Sequence, residues 1–180
     1  MGRLDDSSLV ARIITDNHHL ICASPGYLER HGVPRHPEDL QLHDGLMYYN
    51  REANGFWKLP YNGRQESFRM RIRTDSGHHL LESAKAGIGI GIAILPTFLA
   101  SDALLAGELV PILLPCSPSG GHISVVYRKT IRTPQKILAL SSFLEEEIGH
   151  SAPGTGPWRS EGYFTAPGRS GKQNPRFPFP

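Results

Sequence analysis

The sequence predicts an α/β fold, and three observations carry the prediction. The run GIGIAIL (89–95) reads as a strand buried on both faces. The run FRMRIR (68–73) alternates apolar and cationic residues, the pattern of a strand with one wet face. Pro25, Pro37 and Pro134 each open a helical pattern at a position where the missing N–H is not needed. The stretch TDSGHHLLESAKAGIGIGIAILP (74–96) shows how such parts join: loop, helix, tight turn, buried strand, stop. Asp75 or Ser76 suits the cap of its helix, Leu80, Leu81, Ala84 and Ala86 supply an apolar side, and Lys85 favours the C-terminal end. Gly87 suits the left-handed residue that ends a helix. A helix feeding a buried strand is an α/β unit.

The remaining elements follow in order. Residues 1–8 are a polar loop, and residues 9–23 hold two short strands or one bent strand, ending in HLICA. SPGYLERHG is a short helix with Ser24 as cap, Tyr27 and Leu28 inward and Gly32 at its end. A helical turn is expected around Pro37 to Leu40, a strand at Met47 to Tyr49 and a loop at 50–55. Asn62-Gly63 joins FWKLPY to QESFRMRIR as a hairpin, with Phe68, Met70 and Ile72 on the buried face. TFLASDALLA (97–106) is a short helix with Phe98, Leu99 and Leu104 inward, and Gly107 ends it. LVPILL (109–114) is extended, 116–121 is a polar turn and ISVVY (123–127) is a strand. Ile137, Leu140, Leu144 and Ile148 recur at helical spacing, with Leu138 and Ser141 alongside. Glu145 to Glu147 sit at the wrong end of that helix for its dipole and should fray it.

Composition narrows the class. The formal charge is +2, but residues 149–180 hold Arg159, Arg169, Lys172 and Arg176 against Glu161, a net of +3, which leaves −1 for residues 1–148. The body is nearly neutral, and no folded nucleic-acid surface is indicated. Residues 149–180 hold six glycines and six prolines and read as a disordered tail. Cys22 and Cys116 form no disulfide framework, and the N-terminus has neither a signal peptide nor a membrane span, so a cytoplasmic protein is expected. His18-His19 and His78-His79 are adjacent pairs that point apart, which makes poor chelates, so no metal is expected. No catalytic or cofactor motif stands out: an enzyme is not expected, and no cofactor is called for.

The stretches DSSLVARII (6–14), LICASPGYLERHGVPRHPEDLQLHDGLMY (20–48) and AGIGIGIAILPTFLASDALLAGELVPIL (86–113) resemble the C-terminal effector-binding domain of LysR-type bacterial transcription regulators. ISVVYRK and RTPQKILALSSFLEEEI sit where that family has its last strand and helix. The resemblance implies a periplasmic-binding-protein-like, type 2 fold whose second lobe is nearly complete and whose first lobe is mostly missing. Residues 1–148 then form a partial effector-binding domain: 9–96 the second lobe, 97–113 the return crossing and 122–148 the remnant of the first lobe. The DNA-binding helix-turn-helix of the family has no counterpart here, so no direct sequence-specific DNA binding is expected. GIGIGIAILP also carries an extra Gly-Ile pair against the family pattern AGxGIxxLP.

The resemblance implies a small organic effector in a cleft between lobes. The candidate contacts are Ser24, Thr74, Asp75, Ser76 and Gly77, because helix-start N–H groups there favour an anion. The plain alternative is that Ser24 and Asp75 only cap helices. Self-association is expected through an unpaired edge of the 123–127 strand, and no membrane contact. Two other readings stay open: a truncated chain that folds without binding a ligand, and a stand-alone small-molecule or protein-interaction module.

Overall fold

The computed structural model describes residues 9–49, 56–61, 64–69, 72–87, 91–118, 120–128 and 134–149. The expected polar loops at 1–8 and 50–55, and the tail beyond residue 149, lie outside the described residues.

Leucine, isoleucine and alanine at alternating positions build the central sheet. Strands β1 (Leu9–Asp16), β2 (His19–Ala23), β3 (Gly45–Tyr48), β4 (Phe56–Tyr61), β5 (Arg64–Arg69), β6 (Ile72–Thr74), β7 (Ile92–Pro96), β8 (Val110–Ile112) and β9 (His122–Arg128) are joined by helices α1 (Pro25–His31), α2 (Gly77–Ala86), α3 (Thr97–Leu105) and α4 (Gln135–Leu144). Five strands form one sheet in the order β6-β3-β7-β2-β8. β3 runs parallel to β6 and β7, while β2 runs antiparallel to β7 and β8.

Both faces of the sheet are covered, which is why its strands read as apolar runs. Leu20 and Cys22 of β2, Leu46 of β3, and Ala93 and Leu95 of β7 pack under α2 and α3, against Leu80, Leu81, Ala84, Ala100 and Leu104. The alternate residues Ile21, Ala23, Met47 and Ile92 pack on the other side against Tyr27 and Leu28 of α1, Leu40, and Trp57, Leu59 and Phe68 of the β4–β5 hairpin. Pro111 is accommodated because β8 is an edge strand.

A second group stands beside this sandwich. β1 pairs antiparallel with β9, and Arg12 of β1 holds Glu145 at the end of α4, with Nε donating to Oε1 at 3.0 Å. Glu145 to Glu147, expected to fray, instead continue α4 as a π turn over Glu145–Gly149. The Arg12 guanidinium supplies at Glu145 the compensation that the helix dipole withholds. β1 thus belongs with β9, not with the five-stranded sheet, and Val110–Ile112, expected within a crossing, is a strand of that sheet.

Several local expectations change. QESFRMRIR is not one strand: β5 pairs with β4, residues 70–71 lie outside the described set, and β6 pairs with β3. Phe68 is buried but Ile72 is exposed, because the chain changes partner between them. β4 and β5 pair up to Tyr61↔Arg64, and the turn expected at Asn62-Gly63 lies outside the described residues. β7 begins at Ile92; residues 88–90, part of the stretch that carries the extra Gly-Ile pair, lie outside the described set. Phe98, expected inward, is exposed; on α4 Leu140 is exposed and Ser141, which lies alongside the apolar positions, is buried.

Candidate site at the hinge end of the sheet

The parallel strands β3, β6 and β7 all finish at one end of the sheet. Tyr49 N–H donates to the Thr74 carbonyl at 2.6 Å, which ties the exit of β3 to the exit of β6. Thr74 Oγ1 accepts from Ser76 N–H at 3.2 Å, and Ser76 Oγ accepts from His79 N–H at 3.3 Å. Ser76, rather than Asp75, is therefore the cap of α2. The Asp75 side chain is exposed.

α3 starts alongside. A Cβ on Gly77 would lie 3.0 Å from the Leu99 side chain, so the first turns of α2 and α3 meet closely. Thr97 N–H donates to the His18 carbonyl at 2.9 Å, which fastens α3 to the chain as it passes from β1 into β2. That passage lies against the return path from η-turn Leu114–Cys116 to β9: Asn17 N–H donates to the Gly121 carbonyl at 2.9 Å. Gly120 presses on the Asn17 carbonyl so tightly that any Cβ would collide with it. Two chain crossings thus meet at the carboxyl ends of three parallel strands, the place where open α/β sheets bind ligands.

Polar atoms at this junction are available. Asn17 is 6% exposed and its Oδ1 is buried without a hydrogen-bond partner, as is Ser117 Oγ. Tyr48 (51% exposed) and Tyr49 (52%) leave β3 here, and Phe98 (50%) lies in the first turn of α3. Burial lowers the pKa of His19, with neighbouring His18 adding to the effect. The α2 start offers N–H groups and the positive end of a ten-residue helix.

Of the five residues singled out from sequence, Thr74, Asp75, Ser76 and Gly77 come together at this end. Ser24 does not. β2 is antiparallel to β7, with His19 opposite Pro96 and Cys22 opposite Ala93, so Ser24 leaves the sheet at its far end. There a Cβ on Gly87 would lie 2.5 Å from Ser24 Oγ, which puts Ser24 at the C-terminal end of α2. The length of that helix, about 15 Å, separates Ser24 from Ser76. Ser24 stands at the cap position of α1, but its hydroxyl makes no cap bond and is buried without a partner. Strand direction is a long-range property, and no local signal in SPGY reveals it. Asn17, Tyr48, Tyr49, Phe98 and Ser117 were missed for the same reason: only the pairing of distant strands brings them together.

Among the described residues no group of three or more His, Cys, Asp or Glu side chains is placed to hold a metal. Cys22 is fully buried and its thiol is pushed up to about 12 by desolvation, which makes it a core residue and not a nucleophile. Tyr27 and Trp57 are core residues as well. No described helix is long and apolar enough to cross a membrane.

Comparison with known proteins agrees with this architecture. Residues 1–149 match the family model described as LysR substrate binding domain. An uncharacterized HTH-type transcriptional regulator of Haemophilus influenzae is 37% identical over 143 residues, covering 78% of this chain and 49% of that protein. The HTH-type transcriptional regulator CrgA of Neisseria meningitidis is 30% identical, covering 85% of this chain and 51% of its own. The chain thus spans about half the length of these relatives. The CrgA regulatory domain superposes with a TM-score of 0.71 at 29% identity, covering 82% of this chain and 72% of that one. The full-length virulence activator AphB of Vibrio cholerae superposes with a TM-score of 0.67 at 27% identity, covering 82% and 50%. The chain belongs to the LysR substrate binding domain family, the effector-binding part of LysR-type transcriptional regulators, and has its periplasmic-binding-protein-like α/β fold.

Proposed function

We propose that this chain binds a small organic anion at the hinge end of the five-stranded sheet, as the effector site of a cytoplasmic transcription regulator. The supporting observation is the meeting of the Ser76-capped start of α2 with the carboxyl ends of β3, β6 and β7 beside the crossing at Asn17. The roles are assigned accordingly. The first N–H groups of α2 receive the anion, since the Asp75 carboxylate would repel it. Tyr48, Tyr49 and Phe98 offer apolar surface to the body of the ligand. Ser24 has no part in it. In this reading residues 19–116 are the second lobe, and β1, β9 and α4 belong to the first. No catalytic group is assigned, in keeping with relatives named as transcriptional regulators.

A site lined from one lobe encloses less of a ligand than a full cleft, so millimolar affinity, about −4 kcal/mol, is the expected range. Benzoate and benzamide, alike in shape and different in charge, test the preference for an anion. At ten times its Kd, benzoate should stabilise the protein by about 1.4 kcal/mol, a Tm rise of roughly 3–5 °C for a chain of this size. Benzamide should give a smaller rise at the same concentration. Equal rises, or none with either compound, would contradict the proposal.

A further inference from the structure

At the opposite end of the sheet from the hinge, Tyr27 sits at the centre of a polar cluster that the effector reading does not use. Its ring is buried and lies directly on Gly91: a Cβ there would fall 2.1 Å from the ring. His31 stacks on the ring with a centroid separation of 4.3 Å and planes 18° apart. The His43 ring is tilted at 5.7 Å. The Tyr27 hydroxyl lies 3.1 Å from His43 Nδ1 and accepts from Asp44 N–H at 3.3 Å.

These contacts constrain the protons. The Tyr27 backbone carbonyl is 3.1 Å from His31 Nδ1 and only accepts, so His31 carries a proton on Nδ1. Among the described residues His43 Nδ1 is the acceptor within reach of the Tyr27 hydroxyl proton, so that proton goes to His43 Nδ1. That bond requires an unprotonated Nδ1, which is neutral His43 in the Nε2–H form. A cationic His43 would have to donate from Nδ1 into the hydroxyl, and the buried hydroxyl proton would lose its acceptor.

We propose that Tyr27, His31 and His43 form a pH-sensitive clasp: neutral His43 ties α1 to the turn that enters β3, and protonated His43 releases it. The groups that face His43 are accounted for. Burial opposes its positive charge most, and His31 of α1 adds to this, while Asp39 of the Pro37–Leu42 turn and Asp44 favour it. The balance lowers the pKa of His43, so the clasp stays closed near neutral pH. α1 also braces α2 from behind: Arg30, whose Nε donates to the Gly26 carbonyl within α1 at 2.8 Å, donates from Nη2 to the Gly87 carbonyl at the end of α2. Opening the clasp therefore loosens the support at the end of α2 remote from the hinge.

The test is an NMR titration of the full chain, following histidine ring nitrogens and backbone amides. At pH 7.5 His43 should be the Nε2–H tautomer and His31 should be protonated on Nδ1. Below pH 6.5 the His43 ring and the Asp44 amide should shift with one common midpoint. Tyr27→Phe removes the bond to the neutral ring, so the His43 midpoint should move upward. An Nδ1–H tautomer at His43, an Asp44 amide that does not follow the ring, or an unmoved midpoint in Tyr27→Phe would overturn the proposal. If that variant fails to fold, the wild-type tautomers and the Asp44 midpoint decide alone.

Discussion

Ser24 shows how a residue can satisfy a sequence rule and still not perform the function the rule names. It precedes a proline-initiated helix, and its backbone does take the cap position, but its hydroxyl is buried without a bond. Replacing a true cap by alanine costs about 1 kcal/mol. Removing a buried hydroxyl that lacks a partner relieves a desolvation cost instead. Ser24→Ala should therefore lie within roughly 0.5 kcal/mol of wild type or be more stable, measured by chemical denaturation. A loss of a full kcal/mol would restore the capping role. Gly91 argues the reverse case. Its neighbours in GIGIGI give no hint that one glycine matters more than another, yet Tyr27 occupies the space of its missing side chain. Gly91→Ala should destabilise the fold by about 3 kcal/mol, the upper part of the usual range for overpacking, because His31 stacks on that ring and His43 and Asp44 meet its hydroxyl.

Elements were legible where one short window contained their cause. Helix α2 was readable because Ser76, the 80/81/84 apolar positions and Gly87 all lie within twelve residues, and Gly87 does adopt the left-handed conformation with φ 60°. Ser76→Ala should cost about 1 kcal/mol by loss of the cap, unlike Ser24→Ala, and the pair of variants makes an internal control. Strand partners were not legible. FRMRIR alternates throughout, but the chain leaves the hairpin and joins β3 partway, a switch that only the fold as a whole dictates. The end of α4 was misjudged because its compensating charge, Arg12, is 133 residues away. A double-mutant cycle on Arg12 and Glu145 should give a coupling of about 0.2–1 kcal/mol, since both groups are about one-third exposed. No measurable coupling would return the π turn to the frayed end that the three glutamates suggest.

Across the whole molecule, acid should be the weak side. Burial lowers the pKa values of His19 and His43 below the ordinary 6.5. Each binds more protons unfolded than folded in the interval between its two pKa values, so stability rises with pH there. It is complete above pH 6.5 and is lost as pH falls through 6.5 toward the folded values. Denaturation midpoints from pH 7.5 to 5 should fall, and a flat profile over that interval would contradict the burial of these rings. Association belongs to this scale too. β9 has β1 on one side and no strand on the other among the described residues, and Ile13, Val126, Leu140 and Phe143 are exposed around it. Such an edge is prone to pairing with a second copy. Sedimentation should show mass rising with concentration, whereas a monomer throughout would mean that the face is covered.

The central claim is that the effector site lies at the hinge end of the sheet, at the start of α2, and excludes Ser24. Amide chemical-shift mapping with benzoate at millimolar concentration tests it residue by residue. Saturable shifts are expected at Ser76, Gly77 and His78, with smaller ones at Asn17, Tyr49 and Phe98, and none at Ser24 or Gly26. Shifts centred on Ser24 and α1, or none at residues 74–78, would contradict it.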